Sequence, residues 1–251
     1  MASSSEVQPG EYPSLSLSGD SFFFSGPKYS CGNRFHSPDG VPSHVNNLGL
    51  NLRDNNSTVY VVLGPRNQYF RCVIPQAGEV ASMNDTDLSD YEDLTVFLDH
   101  QNVARPRFLS LGAGGHFYIR AETGVEKWDV PSHVSERLLR KYTGGDASIE
   151  GLWLGCRDAF VAQRWDGTKL HDLRGQYPGL QRALQRRGGS QEDDESADVA
   201  SVAMDLEGGR GFVILWRDGR AECEEGMMRM ESGRAFERWC AGNGYKLRRH
   251  K

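Results

Sequence analysis

Two histidines occupy equivalent places in a nearly literal repeat. Gly40-Val-Pro-Ser-His-Val45 returns as Asp129-Val-Pro-Ser-His-Val134, 89 residues later. An imidazole titrates near neutrality, so His44 and His133 drawn round one opening would serve as acid/base groups or ligands. Asp129 would be the carboxylate beside the second. In the competing reading, each histidine simply hydrogen-bonds in the first turn of a helix that its Pro-Ser pair starts. His116 follows a glycine-rich turn, and Arg120 closes the apolar run after it. With Trp128, Trp165 and Trp216 they make up the candidate ligand-binding set, because an indole at a mouth stacks on flat or cationic groups. Packing between repeat units is the alternative role for those tryptophans.

Other chemistries find no anchor. There is no His-x-x-His or His-Glu-x-x-His spacing, so no metal site is expected. The five cysteines are Cys31, Cys72, Cys156, Cys223 and Cys240, with no Cys-x-x-Cys pair. They read as reduced packing residues rather than a disulfide framework. Gly-x-Ser-x-Gly is absent, and Gly112-Ala-Gly-Gly115 lacks the Lys-Ser/Thr of a phosphate-binding loop. No cofactor is implied. Cys156 sits beside Arg157 in a turn, where a guanidinium would favour the thiolate.

Basic clusters recur as well. Arg137, Arg140 and Lys141 stand in one expected helix, and Arg182, Arg186 and Arg187 in the next. Arg234, Arg238 and the basic tail Lys246-Leu-Arg-Arg-His-Lys251 follow. Equivalent positions could align them on one face that holds phosphates, such as those of a tRNA. Plain solvated faces of mixed charge are the alternative. Residues 1–100 carry 5 Lys+Arg against 12 Asp+Glu, and residues 101–251 carry 24 against 22, so wrapping by nucleic acid all round is not expected.

The elements that must position these side chains come from a repeat. Leu17, Leu63, Leu111, Leu154 and Leu206 are each followed six residues later by an aromatic: Phe23, Tyr69, Phe117, Phe160 and Phe212. The steps between the leucines are 46, 48, 43 and 52 residues, the size of a small β-unit. A turn glycine stands 13 residues after three of them, at Gly124, Gly167 and Gly219, twice as Asp-Gly. Each unit therefore reads strand, glycine turn, strand, turn, strand, short helix. The helices fall near 89–99, 132–141, 178–187 and 230–241. The acids of 84–93 belong to a helix start, and 190–198 to a solvated acidic loop.

The expected fold is all-β with short helices: five tandem β-meander-plus-helix repeats closed as a propeller-like ring, because a three-stranded meander cannot bury both faces alone. An open β-rich repeat stack is the alternative. Residues 1–13 read as a flexible tail without a secretory signal, and 14–251 as one repeat domain. Its units run approximately 14–57, 58–106, 107–148, 149–198 and 199–251. No apolar run is long enough to cross a membrane, and a cytoplasmic location is expected. The Leu-Gly, aromatic-led strand, Asp-Gly and Pro-led helix of residues 58–241 resemble tandem repeats in uncharacterised fungal proteins. The first unit departs from that pattern, with Ser18-Gly19 in place of Leu-Gly. The resemblance implies no functional residues. The function expected is a ligand- or partner-binding repeat domain, for a small molecule or a protein. The alternative is a fungal small-molecule biosynthesis enzyme with its site in the ring mouth. In one version it is aminoacyl-tRNA-dependent, of the arginine-containing cyclodipeptide synthase type.

Overall fold

The computed structural model describes residues 14–18, 21–25, 31–32, 58–66, 68–74, 82–83, 86–103, 106–139, 149–187 and 198–250. The tail expected at 1–13, His44 and the acidic stretch 190–197 lie outside them.

Five antiparallel meanders follow one another. They are β1 (Ser14–Ser18), β2 (Ser21–Ser25) and β3 (Cys31–Gly32); β4 (Thr58–Leu63), β5 (Tyr69–Ile74) and β6 (Ser82–Met83); β7 (Pro106–Leu111), β8 (Phe117–Ala121) and β9 (Glu126–Asp129); β10 (Ile149–Leu154), β11 (Phe160–Arg164) and β12 (Lys169–Asp172); and β13 (Val199–Met204), β14 (Phe212–Trp216) and β15 (Arg220–Glu224). Helices α1 (Glu92–His100), α2 (Ser132–Leu139), α3 (Pro178–Arg187) and α4 (Glu231–Asn243) follow the second to fifth meanders. Strand β16 (Lys246–His250) then joins the fifth sheet parallel to β15. The described residues are β-rich, with four short helices. Hydrogen bonding between strands does not run from one sheet to the next, so the described residues form five small sheets rather than a barrel. Among them no helix is long and apolar enough to cross a membrane.

The leucine–aromatic spacing marks real cross-strand partners. Leu63 faces Tyr69, Leu111 faces Phe117 and Leu154 faces Phe160. Two copies need correction. In the first unit Leu17 faces Phe22, and Phe23 faces Ser16, because four residues rather than five separate the paired leucine and aromatic. In the fifth, Phe212 faces Met204 rather than Leu206. Leu206 lies in a longer turn that Asp205 closes by donating its N–H to the Gly211 carbonyl at 2.9 Å. Turn length sets register, so a two-residue insertion moves the partner by two. The second turns behave as expected, with Gly124, Gly167 and Gly219 at φ 86, 78 and 81°, the left-handed region that glycine enters without strain.

The helices make the units interlock. Leu94 and Leu98 of α1 join a cluster with Leu109 and Phe117 of the next sheet. Val134 and Leu138 of α2 pack with Leu152 and Phe160, and Leu180 and Leu184 of α3 with Val202, Phe212 and Ile214. Phe236 and Trp239 of α4 pack with Leu15, Phe22 and Phe24 of the first sheet. The first strands touch in the order β1, β4, β7, β10 and β13, and β13 touches β1.

Side chains of one unit also seal the exposed edge of the next, whose N–H groups would otherwise lack partners. Ser16 Oγ accepts from Leu63 N at 3.0 Å, Tyr60 Oη from Leu109 N at 3.1 Å, and Ser110 Oγ from Leu154 N at 3.0 Å. The glycine after Leu63, Leu111 and Leu154 permits close approach. A Cβ on Gly112 would stand 2.9 Å from Leu154 Cβ, and one on Gly155 would stand 3.1 Å from Met204 Sδ.

Candidate functional site

Three first strands carry a bulge at the same place. Pairing skips a residue between Pro106 and Phe108, between Ile149 and Gly151, and between Val199 and Ser201. The residues set free are Arg107, Glu150 and Ala200. A bulge re-aims its side chain out of the alternating pattern, and here it gathers a polar cluster from three units.

Glu150 is the hub, only 8% exposed. Its Oε2 accepts from Gln163 Nε2 at 2.7 Å, and its Oε1 pairs with Arg217. Gln163 uses its other end, Oε1, to accept from Val199 N at 2.6 Å. Arg120 spans units three and four, donating to the carbonyls of Ile149 at 2.6 Å and Glu150 at 2.8 Å. Its guanidinium also lies 3.8 Å from Glu126. A buried carboxylate survives only with such partners.

Above this base stands Trp165, 47% exposed. The guanidiniums of Arg107 and Arg120 lie 5.4 and 5.2 Å from its ring centre, within cation–π range. Arg107 is exposed and has no carboxylate partner among the described residues. The neighbouring Asp166 stays ionised, its carboxyl held below the usual range chiefly by the Thr168 backbone N–H. The arrangement offers a flat indole, one uncommitted guanidinium and a rigid floor, which is binding chemistry. It holds no paired nucleophile and base.

Two expected ligand-binding residues, Arg120 and Trp165, thus come together. The others lie elsewhere. Pairing of Phe117 with Asp129 brings His116 Nδ1 to 3.8 Å from Asp129 Oδ1, too far for a hydrogen bond, at the other end of the hairpin. That Nδ1, like Nε2 of His133, is buried without a hydrogen-bond partner. Trp128 is exposed on β9, opposite Tyr118. Trp216 is fully buried, and its Nε1 donates to Glu222 at 3.1 Å, so it presents no face at a mouth.

The basic residues divide. Arg137 Nη1 is 3.4 Å from Asp172, with its guanidinium over the Phe160 ring at 5.9 Å. Arg186 Nη2 is 2.8 Å from the buried Glu222, which also contacts His250 of β16. Arg182 is exposed on α3. Arg187 ends that helix with its side chain outside the described residues, as are Arg140 and Lys141 entirely. Among the described residues no three His, Cys, Asp or Glu side chains gather as a metal site.

Sequence reasoning missed Arg107, Glu150, Gln163 and Arg217. One signal was present: Arg107 and Glu150 each stand four residues before a repeat leucine, charged residues at the start of apolar strands. No family model, curated protein or solved structure matches this chain.

Proposed function

We propose that this chain is a ring of five meander units that binds a small ligand at the Trp165 cluster. The ligand class is a flat group carrying an anion: the indole takes the flat face and Arg107 takes the charge. Ring closure is supported by first-strand neighbours that return to their start and by α4 lying on the first sheet. Four buried cysteines with no disulfide among them, Cys72, Cys156, Cys223 and Cys240, suit a reducing, cytoplasmic setting.

The observation that carries the binding reading is an exposed tryptophan flanked by two guanidiniums on a buried network from three units. Preorganised polar groups round an apolar face are what small-ligand sites use. A tRNA-using enzyme is less favoured, because Arg137 and Arg186 of its basic face already pair with Asp172 and Glu222.

The test is a titration with 2-naphthoate, read by calorimetry, with 2-naphthylmethanol as the uncharged comparator. Saturable naphthoate binding is expected. Arg107→Ala should weaken it at least tenfold, the loss of a charge-assisted hydrogen bond of roughly 1.5–3 kcal/mol. Trp165→Ala should abolish it. Equal binding by the alcohol, or wild-type affinity in Trp165→Ala, would overturn the reading.

A further inference from the structure

The fifth sheet has one strand more than the others. Strand β16 lies parallel to β15 and takes the outer edge that β9 and β12 hold in the third and fourth sheets. It reads Lys246-Leu-Arg-Arg-His250, without an acid. The β9 edge reads Glu126-Lys-Trp-Asp129 and the β12 edge Lys169-Leu-His-Asp172, so both of those mix signs.

The pairing of β16 with β15 shows what this strand accepts. Lys246 donates its N–H to the Gly219 carbonyl at 2.9 Å. Amide direction alternates along a strand, so Leu247 and Arg249 direct their N–H groups away from β15. Among the described residues no strand pairs with β16 on that side. Side chains alternate as well. Leu247 packs on the α4 cluster, and Arg249 pairs with Glu237 of that helix. On the opposite face His250, 5% exposed, contacts Glu222 and Arg186 of α3. Lys246 and Arg248 share that face and are exposed. In the register of the two strands Glu222 stands opposite Arg248, and Glu224 opposite His250. One edge of β16 is thus already filled by a strand that brings it acids.

Helix α3 continues the basic face. It too lacks an acid, and Gln181, Arg182, Gln185 and Arg186 are exposed on it. Glu222 neutralises Arg186, whereas Lys246 and Arg248 make no ion pair among the described residues. Like charges set opposite each other destabilise a strand pair. The open edge therefore turns away a second copy of β16 and admits a strand of opposite sign.

We infer that the outer edge of β16 binds an extended acidic segment of a partner protein, which adds one more strand to the fifth sheet. The partner's acids lie toward Lys246 and Arg248, and its alternate apolar residues toward Leu247. Main-chain hydrogen bonds at Leu247 and Arg249 hold the segment, and the charges select it.

The test uses a fluorescein-labelled peptide, Thr-Glu-Val-Glu-Val-Glu-Thr, read by anisotropy at low salt. Saturable binding is expected, and it should weaken as salt rises. Glutamine in place of every glutamate should cost about tenfold, because several exposed ion pairs are lost together. Arg248→Gln should cost about threefold, the size of one exposed pair, at unchanged Tm. Arg210→Gln, which removes an exposed arginine from the turn after β13, should change nothing. Peptides methylated on alternate amide nitrogens should bind in one phase and fail in the other, since only one set of N–H groups faces β16. Trp165→Ala should leave peptide binding unchanged, which separates this edge from the indole cluster. The proposal would be overturned by no binding, by equal binding of the glutamine peptide, or by wild-type affinity in Arg248→Gln. Losses in Arg210→Gln or Trp165→Ala, or methylated peptides that behave alike, would overturn it too. So would displacement of the peptide by oligouridylate, which would make the face one for RNA.

Discussion

Tyr177 joins two units through one oxygen. Its hydroxyl accepts from Cys156 N at 3.0 Å and donates to Asp205 O at 2.5 Å. Tyr91 does related work, donating to Gly112 O at 2.7 Å. Burial pushes both phenols well above their ordinary range, so they remain neutral donors in the folded protein. Tyr177→Phe strands a buried N–H and a buried carbonyl, and should cost about 1–3 kcal/mol in urea denaturation. His171 supplies a pH term. Burial, then the nearby Arg137, lowers its pKa, so the unfolded chain takes up the proton first. The stability this contributes is full above the unfolded value of about 6.5. It is lost as pH falls through the lower folded value. His171→Asn should flatten the fall in stability on the acid side of pH 6.5, and an unchanged profile would remove His171 as its source. Little of this was legible in the sequence. Tyr91 and Tyr177 stand 28 and 23 residues after their repeat leucines, so no fixed spacing marks them. The His44 and His133 motif was plain, but a shared motif does not say where the rings point.

Strands and turns were far more legible than side-chain roles, because period and turn chemistry act locally. The hairpins at Gly124, Gly167 and Gly219 were readable from glycine spacing alone. What failed was register in the first and fifth units, where turn length changed and the leucine–aromatic count no longer matched the ladder. Strand β16 was hidden too: a basic tail reads as solvated until Leu247 and His250 find the fifth sheet. Two kinds of glycine separate at this scale. Gly112 has negative φ and abuts Leu154, whereas Gly124 has φ 86° with nothing within 4 Å of a Cβ. Gly112→Ala should cost about 1–3 kcal/mol through overpacking. Trimming Leu154 to Val in the same chain should recover part of that loss. Gly124→Ala should cost roughly 1 kcal/mol or more through backbone strain, and the Leu154 change should not relieve it. Equal relief of both would mean that the two glycines act alike.

At the scale of the molecule the question is whether the last unit holds the first. Helix α4 lies on the first sheet, with the Phe24 and Phe236 rings 5.2 Å apart and Trp239 stacked on Phe236 at 5.9 Å. Phe24 and Phe236 are fully buried, so each truncation to Ala removes a large apolar side chain and should cost about 3–5 kcal/mol. Those losses alone do not distinguish a ring from an open row, since either residue could pack only within its own neighbourhood. Their coupling does. If the two rings meet across the closing seam, the double variant should lose less than the two single losses combined, by about 0.5–1.5 kcal/mol for an aromatic pair. Closure also makes units one and five mutually dependent, so each single variant should unfold in one cooperative step with an undiminished denaturant slope. An open row would behave as a chain of nearest neighbours, in which weakening Phe24 lets the first unit fray while the fifth stays folded. Zero coupling, or a separate early transition in Phe24→Ala, would therefore count against the closed ring.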